Sequence, residues 1–221
     1  MAIRRNKSVI CSSLAAAGLA AAGMAAFSGM DGVAHAEAVD LEAFAAAPTY
    51  TVDGVHSGVI FSVRHSGVSN FHGRFNKLDG SFTFDPSDPT NGSFTAEIPV
   101  ASIDTGNEKR DQHLQAADFF NARQFPVASF ESRSVSATGE EGVYTLAGDL
   151  TLHGVTKPIE AELNWIGTGT MRGTEIAGFD ATFSIKRSDF GITTYLAEDG
   201  GEGGGLGNTV NITIFVEGKK Q

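Results

Sequence analysis

From Pro48 onward, apolar and polar residues alternate in short runs, the period-2 pattern of strands with one buried face. Tyr50 and Val52 open the pattern, and Val59, Phe61 and Val63 continue it with Ser62 and Arg64 on the opposite side. Phe71 and Phe75 share one parity, whereas Leu78, Phe82 and Phe84 share the other. Keeping all five on one face requires a bulge or bend around Asn76-Lys77. Asp85 to Gly92, rich in Asp, Pro and Gly, reads as a turn. After it, Phe94, Ala96, Ile98 and Val100 alternate with Thr95, Glu97 and Pro99. Ala128, Phe130, Ser132 and Ser134 then share a face, which places small and polar residues on an inward side. Further runs are Tyr144 to Leu152, Ile159 to Trp165, Phe179 to Ile185 and Val210 to Val216. The spacing predicts eight or nine antiparallel strands joined by Gly-rich turns, an all-β fold. Alternation of this kind fits a closed barrel and a sandwich equally well.

One stretch breaks the alternation. Between Asn107 and Phe130, Thr105 and Glu108 have capping-box spacing, so a short helix is expected to begin at Gly106 or Asn107. Pro126 ends helical geometry before Phe125 and allows a strand from about Val127. Phe119, Phe120, Phe125 and Phe130 lie close together here, more aromatic surface than an exposed helix tolerates. They either seal one end of the β core or touch a ligand. Arg110, Asp111 and His113, together with Arg187 and Asp189, are expected to pair and hold this helical plug shut, because unpaired buried charge is costly.

The N-terminus has a different logic. Arg4, Arg5 and Lys7 precede an Ala- and Gly-rich apolar run from Val9 to Phe27, followed by Ala34-His35-Ala36. This is the layout of a secretory signal cleaved after Ala36. Arg4-Arg5 also raises twin-arginine export, although no apolar residue follows at the usual position, which favours the general route. The division expected is a signal at 1–36, a linker at 37–47 and one domain at 48–219, of a size that supports a full core. Cleavage would leave an excess of 12 acids, since Arg4, Arg5, Lys7 and Asp31 leave from totals of 16 basic and 26 acidic residues. Nucleic acid is therefore a poor partner, and no stable membrane insertion is expected after cleavage. Cys11, the only cysteine, lies inside the signal, which excludes disulfides and thiolate chemistry from the mature domain.

Chemistry is scarce. No G-x-S-x-G elbow, H-E-x-x-H, Walker loop or dinucleotide fingerprint is present. His56, His65, His72, His113 and His153 never pair at metal-binding spacing. Glu198 to Gly207, an acidic Gly-rich run, repels phosphate and reads as a flexible loop beside a barrel mouth. Sixteen Phe against three Tyr and one Trp suit a greasy chain better than a sugar or nucleotide.

Five segments carry a resemblance. Tyr50 to His65 (YTVDGVHSGVIFSVRH), Gly73 to Pro86, Ile103 to Ser132, Leu150 to Pro158 and Ala181 to Ile192 are similar to the YceI-like, polyisoprenoid-binding proteins of bacteria. The resemblance implies an antiparallel eight-stranded lipocalin-like barrel with a short helical segment closing one end. It also implies a periplasmic or secreted protein without catalytic activity, holding a long isoprenoid or similar amphiphilic lipid in a tunnel. No catalytic residue, metal or cofactor is expected, and an isoprenoid quinone is an allowed occupant. The residues expected to line the tunnel are Phe61, Val63, Phe75, Phe82, Phe119, Phe130, Trp165, Phe183, Ile185, Ile212 and Ile214. The acidic Gly-rich loop is longer than the resemblance leads one to expect. A homodimer is admitted as the assembly. The competing readings are a hydrolase or metal-dependent enzyme built on His and Asp residues, and an adhesion or structural β domain with a filled core.

Export should yield a mature chain that begins at Glu37. N-terminal sequencing of the exported protein checks this, and a product that retains Val9 to Phe27 would instead be a membrane-anchored domain.

Overall fold

The computed structural model describes residues 46–221. The expected signal and the linker up to residue 45 lie outside the described residues. Eleven strands form one antiparallel sheet: β1 (Thr49–Val52), β2 (Gly58–His65), β3 (Ser69–Phe75), β4 (Asp79–Thr83), β5 (Ser93–Pro99), β6 (Ile103–Asp104), β7 (Val127–Ala137), β8 (Val143–Leu152), β9 (Val155–Met171), β10 (Thr174–Lys186) and β11 (Leu206–Lys220). A single α-helix among the described residues, α1 (Glu108–Leu114), interrupts them.

Pairing of β1 with both β4 and β11 closes a ring of eight, β1-β4-β5-β7-β8-β9-β10-β11. The remaining three strands extend the wall. β2 continues β1 along the same edge of β11, β3 pairs with β2 before the chain turns into β4, and β6 pairs with β3 after β5. The barrel therefore has eight staves, three of them broken by a bend. The breaks fall between Val52 and Gly58, between Phe75 and Asp79, and at the 3-10 turn Val100–Ser102. The last two are stitched together by the Asn76 N–H, which donates to the Ser102 carbonyl at 3.0 Å. The parity change between Phe75 and Leu78 is thus a real break, at the place the alternation required.

Another parity change was not legible. β7 bulges between Ser132 and Ser134, so Val135, not Ser134, is the next inward residue: Val135 is buried and Ser134 exposed. The extra residue flips the strand's faces. Ser132 remains at the bulge, and its hydroxyl accepts the Phe94 N–H at 2.8 Å.

The capping expectation also needs correction. The N-cap of α1 is Asn107, whose side chain accepts from the Arg110 N–H at 3.1 Å. Thr105 lies upstream with its N–H and hydroxyl both donating to Asp111, while Glu108 accepts from Gln112 within the helix. Asn is as good a cap as Thr, and Gly106 at φ 74° turns the chain so that Asn107 occupies the position. The helix ends well before Phe125, and β7 starts at Val127 as Pro126 demands.

Aromatic rings fill one end of the barrel. Tyr50 stacks on Phe82 at 4.9 Å between centroids, Phe94 contacts Phe179 at 5.2 Å, and Phe84 meets Tyr144 at 5.0 Å and Trp165 at 4.8 Å. Tyr50, Phe82 and Phe84 are wholly buried. The Tyr50 hydroxyl satisfies itself at the surface by donating to Glu175, which Lys220 also holds. Burial, with the Glu175 carboxylate adding to it, pushes the Tyr50 phenol up to about 12.

Outside this floor, Asp53 anchors the bend between β1 and β2. Lys219 lies 2.6 Å from its Oδ2 and His56 3.0 Å, and the Val55 N–H donates to Oδ1. Lys219 first, then His56, hold the Asp53 carboxyl below the usual carboxylate range. A depressed folded-state pKa stabilises the fold above the unfolded value of about 3.9, and that contribution is lost as pH falls through the folded value. Asp53→Asn should therefore destabilise the barrel at pH 7, and its deficit against the wild type should shrink as pH drops below about 4. Urea unfolding at pH 7 and pH 3 measures this; a deficit equal at both would show that the carboxylate's charge plays no part.

Candidate functional site

Above the aromatic floor the inward side chains do not meet. They leave an apolar cavity between them. The wall is continuous hydrocarbon. β2 contributes Phe61 and Val63, β3 Phe75, β7 Phe130, β10 Phe183 and Ile185, and β11 Ile212 and Ile214, with Phe82 at the floor. Ser81, Thr95 and Arg187 are the polar residues along it, and the Ser81 and Thr95 hydroxyls turn to the exposed outer face, where they bond each other at 3.2 Å.

Arg187 is the surprise. It is 5% exposed and has no carboxylate within salt-bridge distance among the described residues. Its guanidinium donates instead to four carbonyls: Gly207 at 2.8 Å, Ile192 at 3.0 Å, Thr194 at 2.9 Å and Leu206 at 2.9 Å. These carbonyls lie at the two ends of the Gly-rich loop, so one side chain clamps both its roots. Burial pushes the Arg187 pKa down and the nearby Glu202 carboxylate opposes that shift. Glu202 accepts the Thr209 N–H, and Asn208 donates to the Gly200 carbonyl while accepting the Ser188 N–H. The loop is tied down along its length. Ile192 at one root and Leu206 at the other face the cavity.

The segment after α1 closes the rest of this end. Leu114, Phe119 and Phe120 line the cavity, and Phe120 meets Phe75 edge-on at 5.9 Å. The two halves of the cover touch where the Thr194 hydroxyl donates to the Asp118 carbonyl and where Tyr195 lies 6.1 Å from Phe119. The charges here pair differently from expectation. His113 bonds Asp118 at 3.0 Å, and Arg110 donates to Thr105 and sits 4.4 Å over the Phe71 ring. Asp111 serves Thr105, and Arg187 serves backbone rather than Asp189.

Ten of the eleven tunnel residues expected from sequence face the cavity: Phe61, Val63, Phe75, Phe82, Phe119, Phe130, Phe183, Ile185, Ile212 and Ile214. Trp165 does not. It packs against Phe84 and Phe82 within the floor, because β9 and β10 carry it below the level at which the interior opens. Leu114, Ile192 and Leu206, absent from the expected set, reach the cavity from the helical segment and the loop, where no alternation marks an inward face, and Phe120, expected to seal the core or touch a ligand, joins them. None of the five histidines lines it. His153 Nδ1 donates to the Phe190 carbonyl, 2.9 Å away, and His56 joins Asp53 and Glu217 in an outer cluster. That cluster already holds the Lys219 ammonium, and it faces away from the cavity.

A closed eight-staved barrel with a greasy, one-ended bore invites comparison with known proteins. Residues 50–218 match the model of the YceI-like domain. The chain belongs to the YceI-like family. Protein YceI of Escherichia coli O157:H7 is 41% identical over 180 residues, spanning 80% of this chain and 90% of its own. Among solved structures, Burkholderia cenocepacia BcnA aligns with a TM-score of 0.64 and 26% identity over 75% of this chain and 98% of its own. A polyisoprenoid binding domain from Saccharophagus degradans, implicated in plant cell wall breakdown, aligns with a TM-score of 0.57 and 18% identity, over 78% and 98% of the two chains. At that identity the likeness is one of fold. The barrel with its helical insert is the YceI-like architecture.

Arg187→Met keeps the hydrophobic stem but leaves buried carbonyls unpaired, each costing about 1–3 kcal/mol. Denaturant unfolding should show a loss of about 3 kcal/mol, with amide exchange quickening first between Ile192 and Gly207. A variant whose loop amides exchange as in the wild type would show that the clamp does not hold the loop.

Proposed function

We propose that this protein binds one long-chain isoprenoid or comparable amphiphilic lipid, tail inward, and acts outside the cytoplasm as a carrier or store rather than as an enzyme. The observation that carries the reading is the uninterrupted apolar wall running from Phe82 at the floor to Phe120 at the cover. Membership of the YceI-like family supports it, and the Saccharophagus domain of the same fold bears the description polyisoprenoid binding. A catalytic pocket needs convergent polar groups, whereas here the described histidines lie elsewhere and the one buried cation among the described residues, Arg187, is spent on backbone carbonyls. The secretory layout of the N-terminus supports the location.

Energetics favour a chain over a compact polar ligand. At about 0.8 kcal/mol per buried CH₂, four isoprene units would nominally contribute about 16 kcal/mol, close to the strongest affinities observed, so ordering costs must absorb much of it. The head has no partner along the wall, and burying it unpaired is unfavourable. It is therefore placed at the covered end, beside α1 and the Gly-rich loop.

Native mass spectrometry of protein purified without detergent should show an adduct of lipid mass. Phe183→Asp puts an unpaired carboxylate into the wall and should abolish retention, whereas Ser184→Asp adds the same charge one residue away on the exposed face and should not. Wild-type protein that carries no lipid and takes up no added polyprenol would refute the proposal.

A further inference from the structure

The bore stays open at one height because a glycine lies beneath an aromatic ring. Phe61 of β2 pairs in register with Gly73 of β3, and both belong to the inward face of their strands. The Phe61 ring lies flat over Gly73, on the wall. A Cβ at position 73 would fall 2.4 Å from Cζ of that ring and 2.9 and 3.1 Å from its two Cε atoms. Carbon contacts settle at about 3.5–4.0 Å, so the ring would have to withdraw by about 1 Å or more. Behind it is the sheet, and in front of it is the cavity that Phe61 lines. Withdrawal narrows the bore.

The same device recurs with other rings, but less cleanly. A Cβ at Gly148 would meet Phe130 Cζ at 2.4 Å and also the Glu131 carbonyl oxygen at 2.5 Å, so the backbone itself demands glycine there. At Gly218 the ring is Phe82, already part of the packed floor. Among the described glycines, only Gly73 has its three nearest atoms all on one ring together with a backbone conformation that alanine accepts; Gly154 meets three atoms of Phe125 but at a positive φ.

We propose that Gly73 sets the lateral width of the tunnel and thereby admits methyl-branched chains. The proposal rests on the lipid-binding reading and sharpens it into a specificity rule. An isoprenoid carries a methyl group on every fourth main-chain carbon and needs a wider bore than a polymethylene chain of equal length. With the Phe61 ring flat on Gly73 the branches pass. With the ring displaced by a methyl at position 73, a straight chain still passes and a branched one does not.

Phytanol (3,7,11,15-tetramethylhexadecan-1-ol) and hexadecanol share a saturated sixteen-carbon main chain and differ only in the methyl branches, so they serve as probes. Competing them at equal concentration, with bound fractions read by native mass spectrometry, gives a selectivity ratio. Gly73→Ala should shift that ratio toward hexadecanol by about tenfold, the discrimination a pocket achieves over one or two methyl-sized groups. Phe61→Leu, which removes the ring, should not shift it that way, and combined with Gly73→Ala it should restore the wild-type ratio. Thermal unfolding of each variant confirms a folded barrel. An unchanged ratio in folded Gly73→Ala, or a double variant that stays shifted, would overturn the proposal. Should Gly73→Ala not fold, rescue of folding and of the wild-type ratio by Phe61→Leu would support it, and failure of that rescue would overturn it. Wild-type protein that binds neither alcohol would overturn the lipid reading itself, a result distinct from binding without selectivity.

Discussion

An eight-stranded barrel has an interior wide enough to be filled by side chains or to hold one slender ligand, and not both at one height. This chain divides the length between the two. At the β1 and β4 end, rings from Tyr50, Phe82, Phe84, Phe94, Trp165 and Phe179 interlock. Toward the cover, the inward residues of β2, β3, β7, β10 and β11 line a bore instead. The floor supplies close packing that the bore lacks, in a domain that has no disulfide to hold it. Everything at the open end can then be devoted to access.

The cover solves a polar problem with an unusual solution. A long glycine-rich loop carries many backbone carbonyls with few side chains to shield them, and at the mouth of a greasy cavity these need donors. Arg187 provides them in a planar fork, at both roots of the loop, while its stem completes the apolar wall. A carboxylate partner would neutralise the charge but would compete for the same N–H groups. Carbonyl dipoles satisfy the donors, and Glu202 offsets the charge from farther away. The helical segment meets this loop through Asp118 and Thr194, so the two parts of the cover form one polar-backed, apolar-faced unit.

Where the walls must bend, the chain uses breaks in register rather than flexible joints. Three staves snap at the β1–β2, β3–β4 and β5–β6 junctions, and β7 bulges at Ser132. Each break lets an inward row continue past a point where a regular strand would have turned it outward. Glycine performs the complementary task. Gly73 and Gly148 remove a side chain so that the neighbouring Phe61 and Phe130 can spread along the wall.

Much of this was legible in the chain itself. Period-2 alternation identified the strands and most inward residues, because the pleat enforces it whatever the sheet's partners are. The parity conflict between Phe75 and Leu78 exposed one break, and Pro126 marked where the helical insert had to give way to β7. Closure of the barrel, by contrast, depends on β1 meeting β11 across some 170 residues of separation, Tyr50 opposite Lys220, and local pattern carries no information about such a pairing. The resemblance to the YceI-like family supplied it. Trp165 shows the same limit on a smaller scale: its inward face was readable, but whether an inward ring lies in the floor or the bore is a question of height along the axis. The Ser132 bulge, the cap at Asn107 and the carbonyl cage of Arg187 likewise depend on which neighbour has an unmet hydrogen bond. Sequence determines which groups a residue offers, and only the assembled barrel decides which partners are within reach.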